Sequence, residues 1–571
     1  MDVALTLLLC FVPCSCFPTH SNLVTKDEGW ERKVEKLGVI PIHAMVVPGG
    51  KVFMYGTDDQ GEQGGGLYYD IWDPVSGEHE LLKHKTKTNI FCTTLTMDPS
   101  TGNVLVMGGD NGDNDGVKDV LEFDSTTHEL RKHPLGKMHY ARWYGTSVNL
   151  PNGDVFVIGG RDENGDASVI PEVWSPDSGW RELPRAELLD LERKNWWYPH
   201  TFVNSNGKII VILHRNRNVY QIDRTGGRGR VRLIGEKPFS SNKLGASIMF
   251  DVDKVMMLDD EGGLWVVDIG SSEPSWDRVA KIKTLRINAG LSLLPDGRVA
   301  ITGGTASAVD KDGGSIGVDE DAAVKYVQIW DPRTNDVHKG PRQQLARLYH
   351  SSGLILPDGR VFSGGGGAPG PLVNTNYELF YPEYLDVSAE RPQILKAPSN
   401  IDAGDVFIIR VDDADAVMKV TATKSGGMTH SRNADARWLN LDFIVLTSKK
   451  IQVTAREINV MLPGLWMLNT IDADEVPSVA HLMGVSMAPL PHSSKDTSLV
   501  ETLEPTAEPT KAPTETRTVA DYPANGKDVD VDIDEDMDDD IVLLEFVNSS
   551  TGAVTTCSVM MAVALVSPLL M

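Results

Sequence analysis

The sequence predicts an all-β chain, a β-propeller followed by a β-sandwich, and three observations carry that prediction. A turn followed by a β-rich run ending in glycine recurs along the chain. A second β-run with an aromatic or apolar core follows each copy. Near Pro392 the period stops while strand-like alternation continues.

The first marker appears as Pro48-Gly49-Gly50 before KVFMYG, Ser100-Thr101-Gly102 before NVLVMGG and Asn152-Gly153 before DVFVIGG. It continues with Asn206-Gly207 before KIIVILH, a degenerate copy at Asp253 before KVMMLDD, Asp296-Gly297 before RVAITGG and Asp358-Gly359 before RVFSGGGG. The second marker runs in phase: YDIWDP at Tyr69, VLEFDS at Val120, PEVWSP at Pro171, VYQID at Val219, LWVVD at Leu264, VQIWDP at Val327 and YELFYP at Tyr377. Apolar alternation ending in Gly or Asp-Pro turns reads as strands with tight connections. Seven copies, mostly about 45–60 residues apart, have the period of kelch-type blades, so a seven-bladed kelch-like β-propeller is expected over residues 17–390. Residues 391–490 alternate as VFIIRV, VMKVTA, WLNLDFIVL, KIQVTA and LWMLNTI without the glycine signature. Roughly one hundred residues of short strands suggest an immunoglobulin-like β-sandwich.

Both ends read as processing signals. Val3 to Val12 is apolar and Cys14-Ser15-Cys16 supplies small residues, so residues 1–16 are expected to be a signal peptide, with a buried first strand as the alternative. Residues 491–547 are rich in Pro, Thr, Ser and acidic residues and read as an extended stalk. Residues 548–571 begin Asn548-Ser549-Ser550 and end in an apolar stretch from Val559 to Met571. Small residues, spacer and hydrophobic tail fit a GPI-attachment signal, with a tail-anchored helix as the rival. An extracellular, membrane-anchored monomer is expected. The net charge is −26, of which residues 491–547, with sixteen acidic and four basic residues, contribute −12. The remaining mild acidity argues against nucleic acid as a partner.

Of the five cysteines, Cys10, Cys14, Cys16 and Cys557 fall in the two terminal signals, which leaves Cys92. A lone thiol in a secreted chain is unusual, although a buried core cysteine is an adequate explanation by itself. Four places stand out: IFCTTLTMD at Cys92, ARWYGTSVNLPNGD at Tyr144, ARLYHSSGLILPDGR at Tyr349-His350, and GGMTHSRNADAR at His430. Singly, each has an ordinary packing role available. Together, two imidazoles and two phenols offer the N,O ligation that suits Cu(II), and a cysteine is available for oxidative cross-linking.

With FC before a Gly-Gly strand, ARWY, RLYHSSGLILPDGRVFSGGGG, NYELFYPEYL, THSRNADAR and PGLWMLNTIDADEVPS in this order, the chain resembles the copper-radical oxidases of galactose oxidase and glyoxal oxidase type, from about Trp30 to Met487. The resemblance implies a thioether between Cys92 and Tyr144, whose modified ring binds copper and holds a one-electron hole. It implies Tyr349 as axial ligand and catalytic base, and His350 and His430 as imidazole ligands. It further implies oxidation of a small primary alcohol, or of an aldehyde as its hydrate, with dioxygen becoming hydrogen peroxide.

Some positions depart from the family pattern. Asp162 stands where galactose oxidase has a tryptophan over the thioether, leaving Trp143, Trp196 and Trp197 as candidate covers. Ala436 replaces a usual glutamine, and Thr93 and Thr94 replace smaller or Pro-Gly residues. The competing reading is a catalytically inactive kelch-like glycan-binding or adhesion module at the cell surface. Retention of all five site residues argues for the oxidase.

Overall fold

The computed structural model describes residues 29–31, 35–192, 195–240, 245–307, 316–385 and 390–488, with the backbone of Leu543–Leu544. The expected leader and attachment signal, and all of the expected stalk but Leu543–Leu544, lie outside the described residues. Among the described residues no helix is long and apolar enough to cross a membrane.

Each repeat folds as an antiparallel meander, and the third shows why. Its inner strand Trp143–Asn149 turns at Asn152-Gly153 into Val155–Arg161, which pairs with Glu172–Ser175 and then Gly179–Glu182. The turn needs Gly153 at φ +82°, a conformation costly for residues with a Cβ. The inner strands are buried throughout, whereas an outermost strand such as His79–Lys83 is largely exposed. Trp72, Trp174 and Trp330, on the third strands of the first, third and sixth repeats, are almost wholly buried. Trp72 lies 4.5 Å from Tyr377 of the last repeat and Trp330 lies 4.8 Å from Phe250 of the fifth, so these rings fill the space between repeats.

The arrangement is propeller-like, but five sheets of four strands stand alone where seven were expected. They are the second, third, fourth, sixth and seventh repeats, and the seventh is completed by the N-terminal strand Glu35–Lys36 pairing with Asn376–Tyr377. The first meander, from His43–Val46 to His79–Lys83, and the fifth, from Ser247–Asp251 to Ser275–Lys281, are fused with C-terminal strands into one larger sheet. The cause is a finger of the C-terminal domain. Thr429 pairs with His43, and Arg432 and Arg437 pair with Ser247 and Met249, so the finger bonds to the innermost strand of both repeats.

The C-terminal domain is a sandwich of Val406–Val411, Lys419–Lys424, Arg432–Thr447, Lys450–Thr454, Gly464–Ile471 and His481–Val485 around Phe407, Val420, Leu441, Val453 and Trp466. Arg432–Thr447 runs for 16 residues. Its second half pairs within the sandwich, and its first half enters the propeller axis.

The repeated Gly-Gly has a steric cause. The second glycine of one repeat donates its N–H to a carbonyl of the next: Gly109 to Arg142, Gly160 to Trp196 and Gly304 to Arg347. A Cβ on Gly303 would stand 2.7 Å from the Arg347 oxygen, closer than real side chains approach. Three buried arginines, each just before an inner strand, brace their own repeats. Arg142 donates to Gly159, Ile170 and Glu172, Arg347 to Gly365, Asn376 and Glu378, and Arg286 to Gly303 and Gln328.

Candidate metal centre

Strand register explains how the site is assembled. Met97, Asn149, Val203, Leu293 and Ile355 occupy the same ladder position of their inner strands, opposite Val104, Val155, Ile209, Val299 and Val361. Five residues upstream of each stands a residue in the left-handed region: Cys92 (φ +54°), Tyr144 (+68°), Tyr198 (+39°), Asn288 (+60°) and His350 (+67°). Consecutive slots are stitched by main chain, since the Tyr144 N–H donates to the Cys92 carbonyl at 2.9 Å and the Tyr198 N–H to the Tyr144 carbonyl at 2.8 Å. Left-handed backbone costs roughly 1–2 kcal/mol for a residue with a Cβ, and here it turns each side chain out of its strand at one level.

The fifth site residue arrives from the sandwich. His430 (φ +47°) lies at the finger tip between Met428–Thr429 and Arg432. The base of the finger is held by a fully buried ion pair between Lys424 and Asp435. Lys424 Nζ also donates to Asn149 Oδ1 at 2.9 Å. Nearer the tip, Arg432 Nε donates to the Tyr198 carbonyl at 2.8 Å, and a second guanidinium nitrogen donates to the Gly245 carbonyl.

All five expected residues converge. Cys92 Sγ lies 3.8 Å from His350 Nε2 and 3.7 Å from His430 Nε2, and these three donor atoms are within 4.8 Å of one another. The hydroxyls of Tyr144 and Tyr349 are in direct hydrogen-bond contact. The rings of Tyr349 and His350 stack at 3.9 Å, and the Tyr144 ring lies 4.8 Å from that of His430. All five are buried, with Tyr349 at 7 % the least enclosed.

The donor set fits copper. His350 Nδ1 donates to the Gly367 carbonyl at 2.8 Å, which leaves the lone pair on the inward-facing Nε2. His430 Nδ1 is bonded to Thr429 Oγ1 at 2.6 Å, and its Nε2 also faces inward. Burial lowers the pKa of His350 to about 3 and that of His430 well below the usual value, the latter helped by nearby His350, His43 and Arg432. Burial pushes the phenols of Tyr144 and Tyr349 and the thiol of Cys92 upward. Two neutral imidazole nitrogens and two phenol oxygens in a closed pocket match N,O ligation of Cu(II), and a bound cation would draw the phenol protons off.

The candidate covers are near but not parallel to Tyr144. Trp143 approaches at 4.3 Å and 67°, Trp197 at 6.0 Å and 43°, and Trp196 at 6.2 Å and 89°. Asp162 faces away, accepting the N–H groups of Asn164 and Asp166 in a turn. Ala436 packs in the core beside Ile248 and Leu291. Sequence reasoning missed Tyr198, whose ring lies 4.8 Å from Tyr144 and 4.6 Å from His430, and Asn288, which donates to the Ile316 carbonyl. It also missed His43. Counting strand register from Cys92 and Tyr144 would have found the first two.

Known proteins resemble the chain in both sequence and fold. Residues 391–485 match the galactose oxidase-like early set domain. The chain is 29 % identical to galactose oxidase of Gibberella zeae over 495 residues, covering 79 % of this chain and 69 % of that protein. It is 23 % identical to aldehyde oxidase GLOX1 of Arabidopsis thaliana over 524 residues, covering 79 % and 83 %. A solved fungal alcohol oxidase of the AA5 family, in complex with copper, superposes with a TM-score of 0.70 at 21 % identity, covering 80 % of this chain and 99 % of that one. The chain thus carries a galactose oxidase-like early set domain, and its homologues include galactose oxidase and the aldehyde oxidase GLOX1.

Proposed function

We propose that this chain is an extracellular copper-radical oxidase that oxidises small primary alcohols, or aldehydes as their hydrates, and reduces dioxygen to hydrogen peroxide. The observation carrying this reading is the convergence of Cys92, Tyr144, Tyr349, His350 and His430 on one buried point. Copper, held by Tyr144, Tyr349, His350 and His430, supplies together with a Cys92–Tyr144 thioether the two one-electron steps that alcohol oxidation needs.

The protein's own residues do the rest. His350 and His430 stay neutral through burial and keep their Nε2 lone pairs available. Tyr349 Oη is the atom placed to take the substrate hydroxyl proton. Its upward-shifted pKa makes it a strong base once it has lost its own proton. Burial of Tyr144 beside Trp143, Trp197 and Tyr198 keeps water from its ring and prolongs the life of a hole placed there.

The same reading counts the two fused meanders as the first and fifth blades of a seven-bladed propeller over residues 17–390. The sandwich over 391–490 lends His430, and the acidic stalk with its GPI signal holds a monomer at the membrane.

The test is the state of Cys92. After exposure of the purified protein to copper and air, peptide mapping is expected to find the Cys92 and Tyr144 peptides joined and lighter by two hydrogens. A Cys92→Ser variant is expected to lose peroxide release with primary alcohols and glyoxal-type aldehydes. A thiol at Cys92 that still takes up iodoacetamide after copper loading overturns the proposal.

A further inference from the structure

One cluster beside the site makes hydrogen bonds that the chemistry above does not use. The carbonyl of Thr93, the residue after Cys92, accepts two hydrogen bonds from opposite sides. Tyr198 Oη donates at 2.9 Å from the fourth repeat, and His43 Nε2 lies 3.1 Å away on the inner strand of the first. A carbonyl can only accept, so the His43 proton sits on Nε2, and the buried Nδ1 is left without a partner. The hydroxyl of the same threonine is bonded to Tyr55 Oη at 2.7 Å, and the His43 ring lies flat on Tyr55 at 4.4 Å and 4°. His43, Tyr55, Thr93 and Tyr198 are all buried.

This grip acts on the weakest point of the local backbone. Cys92 is held at φ +54°, a conformation a cysteine leaves when unrestrained. Relaxing it would rotate the Cα–Cβ bond and swing Sγ away from Tyr144. The Tyr144 N–H already holds the Cys92 carbonyl, and the next carbonyl along is the one that Tyr198 and His43 share.

We propose that Tyr198 and His43 are positioning residues for closure of the Cys92–Tyr144 bond. By gripping the Thr93 carbonyl they keep Cys92 in the conformation that holds Sγ beside the Tyr144 side chain, within reach of the ring carbon next to its hydroxyl-bearing carbon. The inference rests on the reading that this bond forms. In closure a C–S bond replaces the S–H bond of Cys92 and one ring C–H bond of Tyr144. Two electrons and two protons leave the pair, and dioxygen takes them up as hydrogen peroxide, so the step balances without another oxidant.

The test follows bond formation rather than turnover. Copper-free full-length protein receives Cu(II) in air, is quenched at intervals with chelator and iodoacetamide, and the Cys92 peptide is scored as alkylated or joined to Tyr144. Tyr198→Phe, which keeps the ring and loses the donor, is expected to slow closure about tenfold, the order of factor one hydrogen bond supplies. Adding His43→Leu should slow it further. His43→Gln, whose Nε2 can occupy the same place, should close at nearly the wild-type rate. Cu(II) affinity by competition titration and the thermal midpoint should stay unchanged in Tyr198→Phe. Closure at the wild-type rate in the double variant overturns the inference, and so does slow closure that tracks lost copper affinity. Wild-type protein that keeps a free Cys92 thiol overturns the copper-radical reading itself and this inference with it.

Discussion

A single backbone conformation accounts for much of the site at the residue level. Cys92, Tyr144 and His350 were legible in the sequence because short motifs surround them, FC, ARWY and RLYH. That they share one slot with Tyr198 and Asn288 was not legible, because φ is not written in residue type when the residues are Cys, Tyr, Asn and His. His43 was invisible for a related reason. Its strand reads as an ordinary buried run, and its role depends on a carbonyl of another repeat.

The buried imidazoles also set a pH dependence. Burial lowers His43 and His350 from 6.5 to about 3. In the unfolded chain each takes a proton near pH 6.5, whereas the folded form resists until about 3. The stability they contribute is therefore present above about 6.5 and lost as pH falls toward 3. Urea denaturation of the metal-free protein at pH 8, 6 and 4 should show midpoints falling at each step.

Among the elements, the finger of residues 424–437 determines most. The candidate ligand His430 was legible through THSRNADAR, but the element's behaviour was not. The stretch has no clean alternation, and its pairing partners are the inner strands at His43 and Ser247, far away in sequence. That is why seven expected sheets appear as five separate ones and a fused pair. The Lys424–Asp435 ion pair is completely enclosed and shares Asn149 Oδ1 and Thr96 Oγ1. Removing one partner leaves an uncompensated charge. Asp435→Asn is expected to cost about 3–5 kcal/mol of stability and to lower copper affinity with it. Paired chemical denaturation and metal titration check this, and a variant with lost stability but unchanged copper binding would show that the finger tip is held without the ion pair, by its strand pairing and Arg432.

For the whole molecule, the all-β propeller-like arrangement and the separate C-terminal domain were readable because glycine turns and apolar alternation are local signals, whereas five free-standing sheets stand where seven were expected. Ring closure was not readable. The last repeat supplies three strands, and the fourth is the N-terminal Glu35–Lys36, preceded by a bridge from Trp30 to Phe380. Trp30 is buried at 3 % exposure and packs 5.3 Å from Phe380. Trp30→Ala should destabilise the protein by about 3–5 kcal/mol. Because this contact joins the two ends of the propeller, limited proteolysis should then cut first at the outer edge of the last repeat.

The shared left-handed slot has one more consequence. Five repeats offer the axis the same main-chain socket, three of them stitched in series by main-chain bonds. What stands in a socket can be exchanged without recasting the socket. A thiol, two phenols, an amide and an imidazole occupy the five here, and the chemistry of the centre follows from which group stands beside which. A scaffold of this kind can acquire, lose or relocate a reactive group by single codon changes, so a binding propeller and an oxidase are separated by fewer steps than their activities suggest.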